Sequence, residues 1–288
     1  MGFAEWPLVF FTVIAQSTIG AYWWCLFNKL FAGGTPEQML RLDHAMLAVW
    51  LLLIASFAIA TLHLGSPRRA INAVFRVGRS AFSNEVFFGG GFAALGLLGW
   101  IVDWVGLDWL GTSGDWMIMS LTSLTFLFSL AFFASMIALY RIRTVPTWYN
   151  WMTPVAFTVT TLLGGSALAS CLFAAAMPVQ TGLSLFCPIG VMALSFVGSL
   201  FVTLKQAASL LEIETAIKRP TDLCPHFATW MAARFALLFA VLASWIWVLL
   251  TKDGLSLTVG LAGVVIVLIG EMIGRGIHYQ LNMTVGLR

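Results

Sequence analysis

The chain has 288 residues, of which 60% are hydrophobic, 14% aromatic and only 9% charged, where a soluble domain carries about 25% charged residues. A composition this apolar excludes an ordinary water-soluble domain and calls for membrane lipid as the surrounding medium. The net charge of +3 is small, and no nucleic-acid partner is expected.

Charge-free runs extend from Trp6 to Asn28, His44 to His63, Val86 to Val102, Trp116 to Tyr140, Thr144 to Leu204, Phe235 to Thr251 and Gly254 to Gly270. Each fits one membrane helix of ~20 residues, and Thr144 to Leu204 fits two, broken near Met177 to Gly182. The spans are expected at about 7–31, 44–63, 85–105, 115–140, 152–176, 182–204, 228–250 and 255–278, forming a single polytopic membrane domain over 1–288. Inside hydrocarbon only helices or closed barrels satisfy the backbone, and runs this continuously apolar do not alternate as barrel strands do. The fold class is therefore an all-α integral membrane bundle of eight transmembrane helices.

The first span follows Met-Gly-Phe-Ala-Glu, which has no basic region, and is read as retained rather than cleaved. Pro7 opens that span, Pro67 stops the chain after the second, and Pro154 sits in the first turn of the fifth, where a missing amide hydrogen costs little. The run "PLVFFTVIAQSTIG" from Pro7 echoes "PVAFTVTTLLGG" from Pro154, which points to two four-helix halves. "GGGFAALGLLG" and "GLAGVVIVLIG" carry the small residues that let helices approach closely in lipid.

With eight spans, both termini and the loops after spans two, four and six share one side, called here the terminal face. It collects twelve of the fifteen Lys and Arg: Arg68, Arg69, Arg76, Arg79, Arg141, Arg143, Lys205, Lys218, Arg219, Arg234, Arg275 and Arg288. Lys29, Arg41 and Lys252 lie on the opposite face. By charge alone the terminal face is cytoplasmic. The long basic connections around Leu64 to Asn84 and Lys205 to Phe227 have the form of a docking surface, and arginines meeting lipid headgroups account for the same charges.

His63 ends the second span and Glu85 begins the third, so a helical hairpin brings imidazole and carboxylate to one end of the bundle. Histidine exchanges protons near neutral pH, and a lipid-soluble hydroquinone releases two protons with its two electrons, so such a pair suits quinol oxidation. The competing structural reading has His63 capping its own helix and Glu85 paired with Arg76 or Arg79. Glu271 and Arg275, at i and i+4, are expected to form a salt bridge within the last helix. Trp148, Tyr149 and Trp151 in "RTVPTWYNW" are expected to form an interfacial aromatic anchor. Cys25, Cys171, Cys187 and Cys224 lie far apart, without the Cys-x-x-Cys pairs of metal sites. The four histidines divide three to one between the faces, against a two-haem arrangement.

"EWPL" at Glu5, "LHLGSP" at Leu62, "RVGRSAFSNE" at Arg76, "TVPTWY" at Thr144, and "GRG" with "MTVG" near the C-terminus resemble, in matching order, the membrane-anchor subunits of the bacterial DMSO reductase family of molybdoenzyme complexes. The resemblance implies an eight-helix subunit of the bacterial inner membrane with no haem or iron–sulfur cluster of its own. It implies two partners, an iron–sulfur electron-transfer subunit and a molybdopterin catalytic subunit. It further implies that menaquinol is bound as substrate, with His63 and Glu85 as proton acceptors and Gly65 and Arg69 in the pocket. The family arrangement puts the termini in the periplasm, opposite to the charge bias. Two other readings use the same spans: the same anchor run in reverse as a quinone reductase, and a secondary transporter built on a repeat.

Overall fold

The computed structural model describes residues 6–63, 74–106, 112–145, 147–177, 183–212, 226–252 and 254–281. They form eight helices: α1 (Trp6–Phe27, continuing as a π-helical turn over Asn28–Ala32), α2 (Pro36–His63), α3 (Ala81–Val105), α4 (Thr112–Tyr140), α5 (Met152–Ala176), α6 (Leu183–Glu212), α7 (Phe227–Thr251) and α8 (Leu257–Gln280). All eight are long and apolar enough to cross a membrane, as the charge-free runs predict.

Helix ends follow local polar chemistry rather than the limits of the apolar runs. Before α2, Thr35 Oγ1 accepts from the Gln38 amide at 3.2 Å while Gln38 Oε1 accepts from the Thr35 amide at 3.0 Å, a reciprocal capping box with Pro36 in the first turn. This cap starts α2 eight residues ahead of His44 and draws Glu37, Arg41 and Asp43 into the helix, where Arg41 bonds Glu37 at 2.7 Å and Asp43 pairs with Lys29. Asn150 Oδ1 accepts from the Met152 and Thr153 amides at 2.8 and 3.3 Å and so starts α5.

The halves hinted at by the echoed prolines are present. Helices α1–α4 pack in a closed ring, α5–α8 pack in a second, and the two rings meet along α1 and α5. Equivalent helices start at a nearly constant offset: 146 residues for α5 after α1 (152 against 6), 147 for α6 after α2 (183 against 36), 146 for α7 after α3 (227 against 81) and 145 for α8 after α4 (257 against 112). The echoed segments thus become the two central helices, both enclosed along most of their length. Lipid removes the hydrophobic drive for helix association, leaving close packing to hold this seam. A Cβ on Gly165 would fall 2.5 Å from the Gly20 Cα, so backbone meets backbone there and any larger residue would push the halves apart.

Aromatic rings fill the first half. Tyr22, Trp50, Phe92, Phe132 and Phe57 form a contiguous cluster with centroid separations from 5.1 to 6.4 Å. Gly96 makes room for Trp50 and Gly263 for Trp245, so both small-residue runs are packing faces. Leu98, Trp104, Leu127, Leu194, Phe239 and Trp247 remain exposed on the outside, as lipid-facing side chains do.

Candidate functional site

His63 closes α2, but its side chain lies outside the described residues, as do Gly65 and Arg69 altogether. Glu85 is described. It is the fifth residue of α3, near the terminal face, on a helix in contact with α2. Its side chain is buried, with 3% exposure, and Oε1 has no hydrogen-bond partner. Arg76 and Arg79 are exposed and neither pairs with it, so the competing reading of Glu85 as the partner of either arginine is not borne out. Two tyrosines instead lie within electrostatic reach of the carboxylate, Tyr140 at the end of α4 and Tyr279 at the end of α8. Their rings are 5.5 Å apart. Tyr279 donates to Thr12 Oγ1 at 3.3 Å, whereas the buried Tyr140 hydroxyl has no partner of good hydrogen-bond geometry.

Beside this group lies a buried charged network. Glu271 does not pair with Arg275 along its own helix. Its Oε1 accepts from Arg234 Nη2 of α7 at 2.8 Å, and its Oε2 accepts from Thr160 Oγ1 of α5 at 2.6 Å. Arg275 turns to α1 and α5, donating from Nη2 to Gln16 Oε1 at 2.7 Å and to Thr160 Oγ1 at 3.4 Å. Its guanidinium carbon sits 3.8 Å from the Phe157 ring centre, a cation–π contact that replaces part of the lost hydration. The i,i+4 expectation fails because both partners face the helix seams, where shorter, better aligned bonds are available than along the helix surface. At Gly274 a Cβ would fall 2.6 Å from the Arg234 guanidinium carbon, so a larger residue would push that guanidinium out of its present place.

Arg234 and Arg275 belong by sequence to the twelve basic residues of the terminal face. Both are buried in the bundle, so neither serves as a headgroup anchor. The signal for Arg234 is its isolation in the apolar stretch "FATWMAARFALLFAVL", where an unneutralised arginine must find a carboxylate on another helix. Trp148 also departs from expectation. It is buried, stacks on His278 at 5.6 Å and donates its indole N–H to the His278 carbonyl at 2.8 Å. Tyr149 and Trp151 remain exposed, with Arg141 5.2 Å from the Tyr149 ring centre, in keeping with an interfacial anchor.

Two further cavities lie toward the opposite face. One of about 70 Å³ is lined by Tyr22, Lys29, Asp43, Trp100 and Asp103. An open groove of about 500 Å³ between α1, α5 and α6 is walled by Trp23, Trp24, Phe27 and Phe186. The groove carries no carboxylate or imidazole, so it suits a hydrocarbon tail rather than proton-coupled chemistry. Among the described residues no group of three or more His, Cys, Asp or Glu could hold a metal ion, and Cys25, Cys171 and Cys187 are free thiols.

Fold and site define a polytopic helical membrane protein built from two four-helix halves, with ionisable groups buried toward one face. The chain belongs to the DMSO reductase anchor subunit family (DmsC), which it matches over residues 1–281. It is a membrane-anchor subunit of a DMSO reductase type of complex, and membership sets aside the transporter reading. It is 36% identical to the anaerobic dimethyl sulfoxide reductase protein YnfH of Escherichia coli over 99% of its own length and 98% of the relative. It is 35% identical to the C subunit of the anaerobic dimethyl sulfoxide reductase of Escherichia coli and 32% identical to that of Haemophilus influenzae, with the same coverage of 99% and 98% in both cases. No solved structure matches the protein.

Proposed function

We propose that the protein oxidises menaquinol at the terminal-face end of α2 and α3. The two electrons pass to an iron–sulfur partner subunit, and through it to a molybdopterin catalytic subunit that reduces DMSO or a related acceptor. Glu85 carries this reading: a carboxylate enclosed near the membrane surface with one oxygen unpartnered. Such a group is costly to bury and, within a membrane helix, points to function.

Oxidation of the hydroquinone to the quinone releases two protons and two electrons. Glu85 accepts one proton at its carboxylate and His63 the other at its imidazole, while the electrons leave to the partner's cluster. Tyr140 positions the ring through its hydroxyl, which no well-aligned protein partner occupies. Arg69 and Gly65, which lie outside the described residues, are assigned to quinol binding by the family resemblance alone. The partners dock on the same face, which shortens the electron path. Support comes from the family match over nearly the whole length of the protein and from the burial of Glu85 without an ion pair.

The test uses the intact complex in its membrane. Glu85→Gln and His63→Phe are each expected to abolish menaquinol-dependent turnover while activity with a soluble artificial donor is kept. Unchanged menaquinol turnover in both variants would remove the proposed roles.

A further inference from the structure

Quinol oxidation needs a route for electrons off the anchor, and the terminal face carries an exposed patch, close to Glu85 and Tyr140, that the bundle itself does not use. Two connections build it. The turn before α3 is fixed in shape: the Arg79 amide donates to the Arg76 carbonyl at 3.1 Å, and the amide of Gly78, which has φ 81°, donates to Asn84 Oδ1 at 2.6 Å. Only glycine takes that backbone conformation without strain. The turn holds Phe75 outward at 84% exposure, more than any other large hydrophobic side chain among the described residues, with Arg76 and Arg79 exposed on the same turn.

The second connection, from α4 to α5, is strapped over the end of α8. Thr147 Oγ1 donates to the Leu281 carbonyl at 2.6 Å, and the Trp148 indole donates to the His278 carbonyl. Arg141, Ile142 and Arg143 are exposed on it, with the two guanidiniums 5.2 and 6.0 Å from the Tyr149 ring centre. The two connections are neighbours because α3 and α4 run antiparallel. Gly99 faces Leu121 and Gly89 faces Phe132, which brings the start of α3 beside the end of α4.

Among the described residues none of these four arginines pairs with a carboxylate. Guanidiniums around exposed apolar side chains complement a protein surface of opposite charge with an apolar recess. Lipid is the poorer match: α5 is enclosed along most of its length, so the connection leading to it covers the end of the bundle rather than its lipid-facing rim.

We propose that this patch seats the iron–sulfur partner subunit, with Phe75 as its apolar anchor and Arg76, Arg79, Arg141 and Arg143 meeting carboxylates of that subunit. The inference rests on the quinol reading, which makes this end of α3 and α4 the place where electrons leave. Glu85 lies six residues after Arg79 (85 against 79), and Tyr140 immediately precedes Arg141. A cluster-bearing subunit seated here covers the site that reduces it, whereas the molybdopterin subunit needs no such nearness.

The test uses the intact complex in washed membranes and reads the ratio of retained iron–sulfur subunit to anchor over a series of salt concentrations. Phe75→Ser, and Arg79→Glu combined with Arg141→Glu, should each lower that ratio about tenfold, as loss of an interface hot spot does. The charge-reversed variant should release the partner at lower salt than Phe75→Ser does, and Lys252→Glu on the opposite face should retain it. A photo-crosslinking residue at 75 should capture the iron–sulfur subunit, identified by mass spectrometry. An unchanged ratio in either patch variant, or a crosslink to the molybdopterin subunit or to lipid alone, overturns the surface. A fall in anchor accumulation at unchanged ratio also overturns it and assigns the arginines to lipid headgroups. Retention is read without quinol. Lost retention in the patch variants with normal menaquinol turnover in Glu85→Gln leaves the surface standing and removes the quinol reading, and unchanged retention with turnover abolished in Glu85→Gln does the reverse.

Discussion

Replacing Glu271 by Gln removes the single carboxylate that faces two buried guanidiniums, and it should cost far more than an ordinary core substitution. In the wild type Glu271 Oε1 meets Arg234 at 2.8 Å and Oε2 meets Thr160 at 2.6 Å, with Glu271 1% exposed. Breaking a buried pair by removing one partner costs about 3–5 kcal/mol, because the other charge is left without compensation. Here the two directions of breakage are unequal. Glu271→Gln strands both arginines, whereas Arg234→Met leaves Glu271 within electrostatic reach of Arg275. The Gln variant should therefore lie near the upper end of that range and Arg234→Met below its lower end. The double variant Arg234→Met with Glu271→Gln, which removes both charges at similar volume, should recover much of the loss. Thermal or denaturant unfolding of the purified complex measures all three, and the coupling follows from the cycle. If the two single losses were equal and added without coupling in the double variant, the charge argument would fail.

Other consequences are narrower. Trp148→Phe removes the indole bond to the His278 carbonyl while keeping the ring, and should cost about 1 kcal/mol in the same unfolding assay. Gly165→Val should block assembly of the two halves, measured as lost accumulation of the folded subunit in the membrane, whereas Gly90→Ala should accumulate normally because nothing lies within 4 Å of a Cβ there. Lys29→Met should lower stability by no more than about 1 kcal/mol, since the ammonium is partly exposed and such pairs contribute little. Tyr140→Phe should move the unfolding midpoint little, because the buried hydroxyl it removes has only a poorly aligned contact with Tyr279. On the proposed function it should nevertheless raise the KM for menaquinol.

The number and order of helices are legible in the sequence because burial of the backbone in lipid leaves no alternative to long apolar helices. Their ends are less so. The capping box of Thr35 and Gln38 is a four-residue polar signal, and it overrides the hydropathy that sets the expected start of α2 at 44. The prolines at 7 and 154 mark equivalent positions, but the near-constant offset between halves emerges only when all four helix pairs are placed. Glu85 stands out as a lone carboxylate at the head of an apolar run. Glu271 stands out equally, yet its partner is hidden, since sequence spacing offers Arg275 at i+4 while the fold offers Arg234 from α7 and Thr160 from α5. For Trp148, the segment "TWYNW" suggests an anchor and gives no hint that its first tryptophan turns inward over His278.

The location of the bound quinol tests the central claim most directly. A photoreactive menaquinone analogue, cross-linked within the intact membrane complex and mapped by peptide mass spectrometry, should label the segment from the end of α2 to the start of α3, or Tyr140 beside it, and unlabelled menaquinol should compete the label away. Competable labelling confined to the opposite face, around Lys29, Asp43 and Asp103, would contradict the account.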